Sequence, residues 1–172
     1  MRPFKAYLID QKDGKTVAGF AQLNEEQLDQ GEVTIKVAYS SVNYKDALAA
    51  TGAGRIIRRH PCVGGIDMAG TVVRSTDARF REVDEVIATS YDIGVAHHGG
   101  YAEYGRLPAD WVVPLPKGMS LFESMALGTA GYTAALGVVR MEENGLKPAN
   151  GKVVVSGATG GVGSIAIDIL TR

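Results

Sequence analysis

The sequence predicts a mainly β chain: a β-barrel unit over residues 1–116, then helices, then the first strand, glycine loop and helix of a nucleotide-binding α/β domain. Three observations carry this. Val33, Ile35, Val37 and Tyr39 alternate with Thr34, Lys36 and Ala38, the period of a half-buried strand, and turn signals recur as far as Pro116. At Ser120 the pattern changes, because Ser120 and Glu123 have the spacing of a capping box. From Lys152 a β-branched stretch runs into Gly157, Gly160 and Gly163, and an apolar helix begins at once.

Taken in order, residues 4–9 are short and apolar-rich and read as a strand, and Asp13-Gly14 is a tight-turn pair. Residues 33–39 form the clearest strand, with Val33, Ile35 and Val37 expected to face the core. Residues 43–50 read as a short helix stopped by Gly52 and Gly54. Three strands follow at 68–74, 85–89 and 101–106. A fourth at 111–115 is closed by Pro114 and Pro116. The run 125–141 is rich in Ala, Leu, Val and Gly and reads as helix with a break near Gly128-Gly131. Asn144-Gly145 ends it, and Pro148 prevents continuation. A buried strand is expected at 153–155.

Composition narrows the function classes. With 172 residues, the chain has room for one domain or a domain plus part of another. Hydrophobic residues make up 45% and charged residues 22%, the balance of a soluble globular protein. Lys+Arg is 18 against Asp+Glu 19, so the net charge is -1 and no bulk field attracts nucleic acid or an anionic membrane. No apolar run approaches the ~20 residues of a transmembrane helix, and residues 1–10 lack a signal peptide's apolar stretch. Cys62 is the single cysteine, which excludes an intrachain disulfide and a Cys-rich zinc site. The expectation is a cytoplasmic protein whose charge directs it to neither nucleic acid nor membrane. Glycine, 22 residues, stands at about twice the usual ~7%, as a turn-rich β unit or a nucleotide loop would require.

The glycine loop is the most specific single feature. Its G-x-x-G-x-x-G spacing is longer in its first interval than the usual G-x-G-x-x-G, but the physical need is the same. One glycine allows the sharp turn, another the approach of backbone to a pyrophosphate, and the last the close packing of helix on strand. Backbone N–H groups at Thr159, Gly160, Gly161 and Val162 are the expected phosphate donors at the helix start. The alternative is a plain tight turn. The residue that reads the adenosine ribose in such folds lies about 20 residues further on, and this sequence ends nine residues after Gly163. The chain therefore reads as cut off inside a Rossmann domain, leaving Ile165, Ala166 and Ile169 as an expected exposed helix face.

The segments S-S-V-N-Y-K-D-A-L (40–48), G-I-D-M-A-G-T-V (65–72), H-G-G-Y-A-E-Y (98–104), G-T-A-G-Y-T-A (128–134) and S-G-A-T-G-G-V-G (156–163) together resemble the zinc-free quinone oxidoreductase branch of the medium-chain dehydrogenase/reductase superfamily, closest to its acryloyl-CoA reductase group. The resemblance covers essentially the whole sequence. It implies a GroES-like catalytic barrel over 1–120, with connecting helices and the incomplete start of an NADP-binding Rossmann domain over 121–172. It also implies NADP as cofactor and a homodimer for a full-length protein. Two positions depart from the family's pattern. Gly64 stands where it has proline, and Val83 where it has glycine, so a positive φ at 83 would strain a β-branched residue.

Zinc alcohol dehydrogenases place a Cys and a His where this chain has Asn43 and Ile66, which cannot replace thiolate and imidazole. The resemblance implies hydride transfer from NADPH to the activated C=C of an enoyl-CoA such as acryloyl-CoA, or to a quinone. The resulting enolate needs hydrogen-bond donors. Asn43 is the candidate oxyanion donor, Tyr44 a donor to substrate or nicotinamide ribose, and Asp46 an orienting group for Lys45 or the nicotinamide. On spacing alone, Asn43 could instead cap the short helix. Asp67 is either a satisfied turn carboxylate or part of the cleft floor. Thr129 and Thr133 face either the cofactor or a helix neighbour. Arg55, Arg58 and Arg59 meet CoA phosphates or form a solvated basic face. Cys62 reads as a buried hydrophobe, and His97-His98 as a flexible loop. The rival class is an isolated barrel acting as a structural or interaction module.

Overall fold

The computed structural model describes residues 2–172. The chain opens with a hairpin of β1 (Phe4–Lys12) and β2 (Lys15–Leu23), which pair antiparallel from Phe4↔Leu23 to Lys12↔Lys15. Its two turn residues, Asp13 and Gly14, have φ of 50° and 74°, as the tightest hairpin turn requires. β4 (Cys62–Val63) completes a three-stranded sheet in the order β2-β1-β4. The second sheet has five strands in the order β7-β3-β5-β6-β8. These are β3 (Val33–Tyr39), β5 (Asp67–Ser75), β6 (Glu85–Thr89), β7 (Tyr104–Leu107) and β8 (Val113–Pro114).

One segment closes the two sheets into a barrel, and it explains why the strand expected at 101–106 is shorter than its pattern. Tyr7 N–H donates to the Tyr101 carbonyl at 2.7 Å and Glu103 N–H to the Lys5 carbonyl at 3.1 Å, which ties this stretch to β1. Val37 N–H donates to the Glu103 carbonyl at 2.9 Å, and from Tyr104 the chain pairs with β3. Residues 101–103 thus hydrogen-bond across to the first sheet before β7 begins in the second. The core holds Val33, Ile35, Met68, Val72, Val86, Ile93 and Leu107. Val33 and Ile35 are fully buried and Val37 is half-buried against the same core, while Thr34 on the opposite face is buried too.

The expected strand at 111–115 is a correction. Ala109–Trp111 is a short 3-10 turn following Pro108, and only Val113–Pro114 pairs with β6. The strand expected at 153–155 is a second correction. No described residue pairs with that stretch, and Val154 is 91% exposed. A strand exists through its neighbours' hydrogen bonds, so apolar composition alone cannot form one.

The helices are α1 (Tyr44–Thr51), α2 (Leu121–Glu143) and α3 (Gly161–Thr171). The Ser120 capping box is present: Ser120 N–H donates to the Glu123 carboxylate at 2.8 Å, and Glu123 N–H to the Ser120 hydroxyl at 3.2 Å. Gly128, with φ 51° and ψ −152°, interrupts α2. The chain divides into two compact units, one running to Ala126 and the other Leu127–Arg172. The division falls inside α2 rather than before it, because the helix's opening turns belong to the barrel. Ser124 and Met125 are buried there, and the Phe122 ring meets the Tyr39 ring edge-on at 5.6 Å.

Candidate active site

In the barrel unit, residues 40–46 and the Gly64–Asp67 turn build a buried polar cluster around the start of α1. Asn43 is the N-cap of that helix. The Asp46 carboxylate, three residues on, accepts the Asn43 N–H at 2.8 Å and the Ile66 N–H at 3.0 Å. It is buried, and burial raises its pKa against the hydrogen bonds that lower it. Asp46 therefore holds two backbone segments together, and its carboxylate is not aimed at Lys45. The Asn43 amide nitrogen donates to Ser41 Oγ and Asp67 Oδ2, both at 2.9 Å. The Ser41 hydroxyl also donates to the Asp67 carboxylate, and the Ser40 hydroxyl to the Asp67 carbonyl at 2.7 Å. Asp67 is fully buried, so of its two sequence readings the structure selects the satisfied carboxylate.

Tyr101, which sequence reasoning did not single out, completes the cluster. Its hydroxyl donates to the Ser41 carbonyl at 3.0 Å. Burial, then the nearby carboxylates of Asp46 and Asp67, raise its pKa and keep the phenol protonated. The legible signal for it was the Gly99-Gly100 pair just before it. A Cβ on Gly99 would lie 2.1 Å from the Gly65 carbonyl oxygen, and one on Gly100 2.1 Å from that of Asp67. Only glycine permits that approach, and it delivers Tyr101 N–H to the Gly64 carbonyl at 2.9 Å. Tyr44, in contrast, is 80% exposed at the first helical position of α1. The cluster thus fixes the backbone on either side of one exposed phenol.

The positions that would carry a thiolate and an imidazole in a catalytic zinc site hold Asn43, engaged as above, and Ile66, which is buried. Among the described residues no group of three or more His, Cys, Asp or Glu is placed to hold a metal ion. His97-His98 are not a flexible loop. His98 Nδ1 accepts the Val63 N–H at 3.0 Å, its own N–H donates to Asp29 at 2.5 Å, and His97 Nε2 lies 2.7 Å from the Arg106 carbonyl oxygen. Burial holds the His98 pKa below histidine's usual 6.5. Cys62 is fully buried, and burial pushes its thiol up to about 12, which makes it a packing residue. Two of the three clustered arginines are ion-paired, Arg59 with Asp29 at 2.6 Å and Arg58 with Asp92.

In the second unit, Gly157 turns with φ 66° and Gly160 is the N-cap of α3. A Cβ on Gly163 would meet the Gly157 carbonyl oxygen at 2.2 Å. This glycine therefore lets the helix pack on the turn itself rather than on a strand. Of the four expected phosphate donors, the Gly160 N–H is used internally, donating to the Gly157 carbonyl at 3.0 Å. Gly161, Val162 and Gly163 open the first turn, where N–H groups have no intrahelical acceptor. These groups, with the positive end of the helix dipole, fit a dinucleotide phosphate. Thr133 donates its hydroxyl to the Thr129 carbonyl at 2.7 Å, the helix's own back-bond. Ile165, Ala166 and Ile169 are half-buried, and the exposed apolar residues of α3 are Val162 and Ile167. No helix among the described residues is long and apolar enough to cross a membrane.

Residues 29–117 match the alcohol dehydrogenase GroES-like domain. The chain is 48% identical, over 98% of its length, to acrylyl-CoA reductase AcuI of Ruegeria pomeroyi, of which it covers 52%. The yhdH oxidoreductase of Salmonella enterica, solved in complex with NADP, superimposes with a TM-score of 0.94 at 51% identity, across 96% of this chain and 51% of that one. Protein yhfP of Bacillus subtilis, solved with NAD bound, gives 0.96 at 51% identity, across 99% of this chain and 52% of that one. The chain spans about half the length of the relatives it matches.

Proposed function

Because the chain belongs to the alcohol dehydrogenase GroES-like family of medium-chain dehydrogenases and reductases, we propose that it is the barrel and the opening of the nucleotide domain of an NADPH-dependent, zinc-free reductase. Its acceptor is the activated C=C of an enoyl-CoA such as acryloyl-CoA, with a quinone as the other acceptor class. The observation that carries the reading is the exposed Tyr44 phenol held between the hydrogen-bonded, half-buried Asn43 and the buried Asp46. Similarity to an acrylyl-CoA reductase along nearly the whole chain supports it.

NADPH, when bound, supplies the hydride that adds to the β-carbon of the acceptor. The C=C electron pair then moves toward the thioester oxygen, and a proton from solvent completes the α-carbon. Tyr44 donates a hydrogen bond to the oxygen as charge builds on it, the stabilisation that such a step requires. The Asn43 amide nitrogen is turned toward Ser41 and Asp67, so in this reading its part is to set the turn that carries Tyr44. Asp46 does the same from the helix side. In the second unit, the N–H groups at the start of α3 bind the cofactor's phosphates, with Thr129 and Thr133 on the preceding helix as further candidates.

Reduction of acryloyl-CoA by NADPH, followed by loss of NADPH absorbance in the full chain, tests the reading. Tyr44→Phe is expected to lower kcat by about 10²-fold while leaving the melting temperature unchanged. A Tyr44→Phe protein with the parent's rate removes the hydroxyl from the mechanism. A chain that oxidises NADPH with neither acryloyl-CoA nor a quinone leaves the structural-module reading standing.

A further inference from the structure

We propose that the loop following α1 is a phosphate clamp for the nucleotide end of a coenzyme A thioester, with Arg55 and Arg58 as its guanidinium groups. This rests on the function proposed above, because it takes the acyl end of the substrate to lie at Tyr44. α1 starts at Tyr44 and ends at Thr51, a length of about 12 Å. The loop therefore sits one helix away from the candidate donor. A CoA thioester has the matching layout, with its diphosphate and 3′-phosphate separated from the acyl group by the long pantetheine arm.

The loop is held in place rather than trailing. Gly52 takes the left-handed conformation, where a Cβ would meet Thr16 Oγ1 at 2.2 Å. Ile56 and Ile57 are half-buried, and the Arg58 N–H donates to the Val95 carbonyl at 2.9 Å. Arg59 is held by Asp29 at 2.6 Å. Between these tethers, Arg55 is exposed, has φ 48°, and makes no hydrogen bond or ion pair with any described residue. Glycine is the low-energy residue for that conformation, so a long cation there costs stability and gives the fold no contact in return. Arg58 pairs with Asp92 at the surface, where both side chains are exposed. Such a pair contributes little, so Arg58 can exchange its carboxylate for a phosphate, which guanidinium binds in bidentate fashion. Arg59, engaged with an Asp29 that also holds His98, stays with the fold.

Phosphate groups reach this protein from two sources, the thioester's nucleotide and NADPH, and the proposal assigns the loop to the first. The test uses the full chain and compares acryloyl-CoA, the acryloyl thioester of N-acetylcysteamine (which has no phosphate), and NADPH. Arg55→Ala and Arg58→Ala are each expected to raise the ratio of the two thioesters' KM values about tenfold toward poorer CoA use, with the KM for NADPH unmoved. Calorimetry with free coenzyme A should show the same weakening, and it reads the clamp without any turnover. An unchanged ratio overturns the clamp, as does a rise in the NADPH KM in place of the CoA effect. A parent protein that reduces both thioesters with equal KM also overturns it and leaves the reductase reading intact. A parent that reduces neither removes both.

Discussion

The two units of this chain contain similar apolar strand-formers, and the paired strands of the first cover theirs where residues 153–155 of the second do not. In the barrel unit, Val33, Ile35, Val63, Met68, Val86 and Leu107 are fully buried, each on a strand with ladder partners. In the second unit, Val153, Val154, Leu136, Val139 and Met141 lie exposed. β-branched residues at 153–155 are as suited to a strand as those of β3, but they have no described neighbour to pair with. Apolar patterning states what a segment is able to bury. Burial itself needs a second surface.

The largest expected effect lies at the centre of the buried side. Ile35→Ala should destabilise the barrel by about 2–5 kcal/mol, read from the urea midpoint. A loss of a few tenths would break the assigned register. Val83→Gly sharpens the contrast from the other direction. Val83 has φ 69° and an exposed side chain, so it bears left-handed strain with no packing in return. Replacement by glycine should stabilise by about 1 kcal/mol. An unchanged or lowered midpoint would show that the strain is relieved elsewhere.

Acid should weaken the barrel through His98. Its folded pKa lies below 6.5, so the unfolded chain takes up the proton first. The contribution is complete above 6.5 and is lost as the pH falls below that value toward the folded pKa, because a protonated Nδ1 cannot accept the Val63 N–H. Asp29, whose burial works against its charge but whose pKa is lowered overall by the His98 N–H, the two histidine rings and the Arg59 guanidinium, adds a further loss as the pH falls below 3.8. Asp46 works the other way, since its raised pKa favours the folded state at low pH. Urea midpoints measured from neutral to mildly acidic pH should fall in the parent and stay flatter in His98→Asn, whose amide oxygen can still accept the Val63 N–H. Equal slopes would remove His98 as the cause. The smallest effect belongs to the exposed side: Val154→Thr should change stability by less than about 0.5 kcal/mol, and a large loss would mean that 153–155 is covered.

Much of the fold was legible because local rules and tertiary structure agreed. The Asp13-Gly14 turn, the Ser120 capping box, the break at Gly128 and the stop at Asn144-Gly145 each depend on a few adjacent residues, and each formed where its chemistry stands. The candidate site was legible in part. Asn43, Tyr44 and Asp46 are adjacent candidates in the sequence, and the structure places them differently from one another. Asn43 and Asp46 turn inward, and Tyr44 alone is presented to solvent. Tyr101 was missed because its partners lie at Ser41, Asp46 and Asp67, and no local spacing encodes a contact that far along the chain.

By itself the sequence determined the class of fold, the alternation of β3, the helix ends and the glycine turn, since these follow from backbone conformations and side-chain periods that neighbouring residues set. Tertiary structure alone decided which carboxylates are buried and satisfied, which of Arg55, Arg58 and Arg59 has no ion pair among the described residues, where 101–107 passes from one sheet to the other, and that 153–155 makes no ladder with any described residue. Each of those depends on a hydrogen-bond partner supplied, or not supplied, by a distant part of the chain.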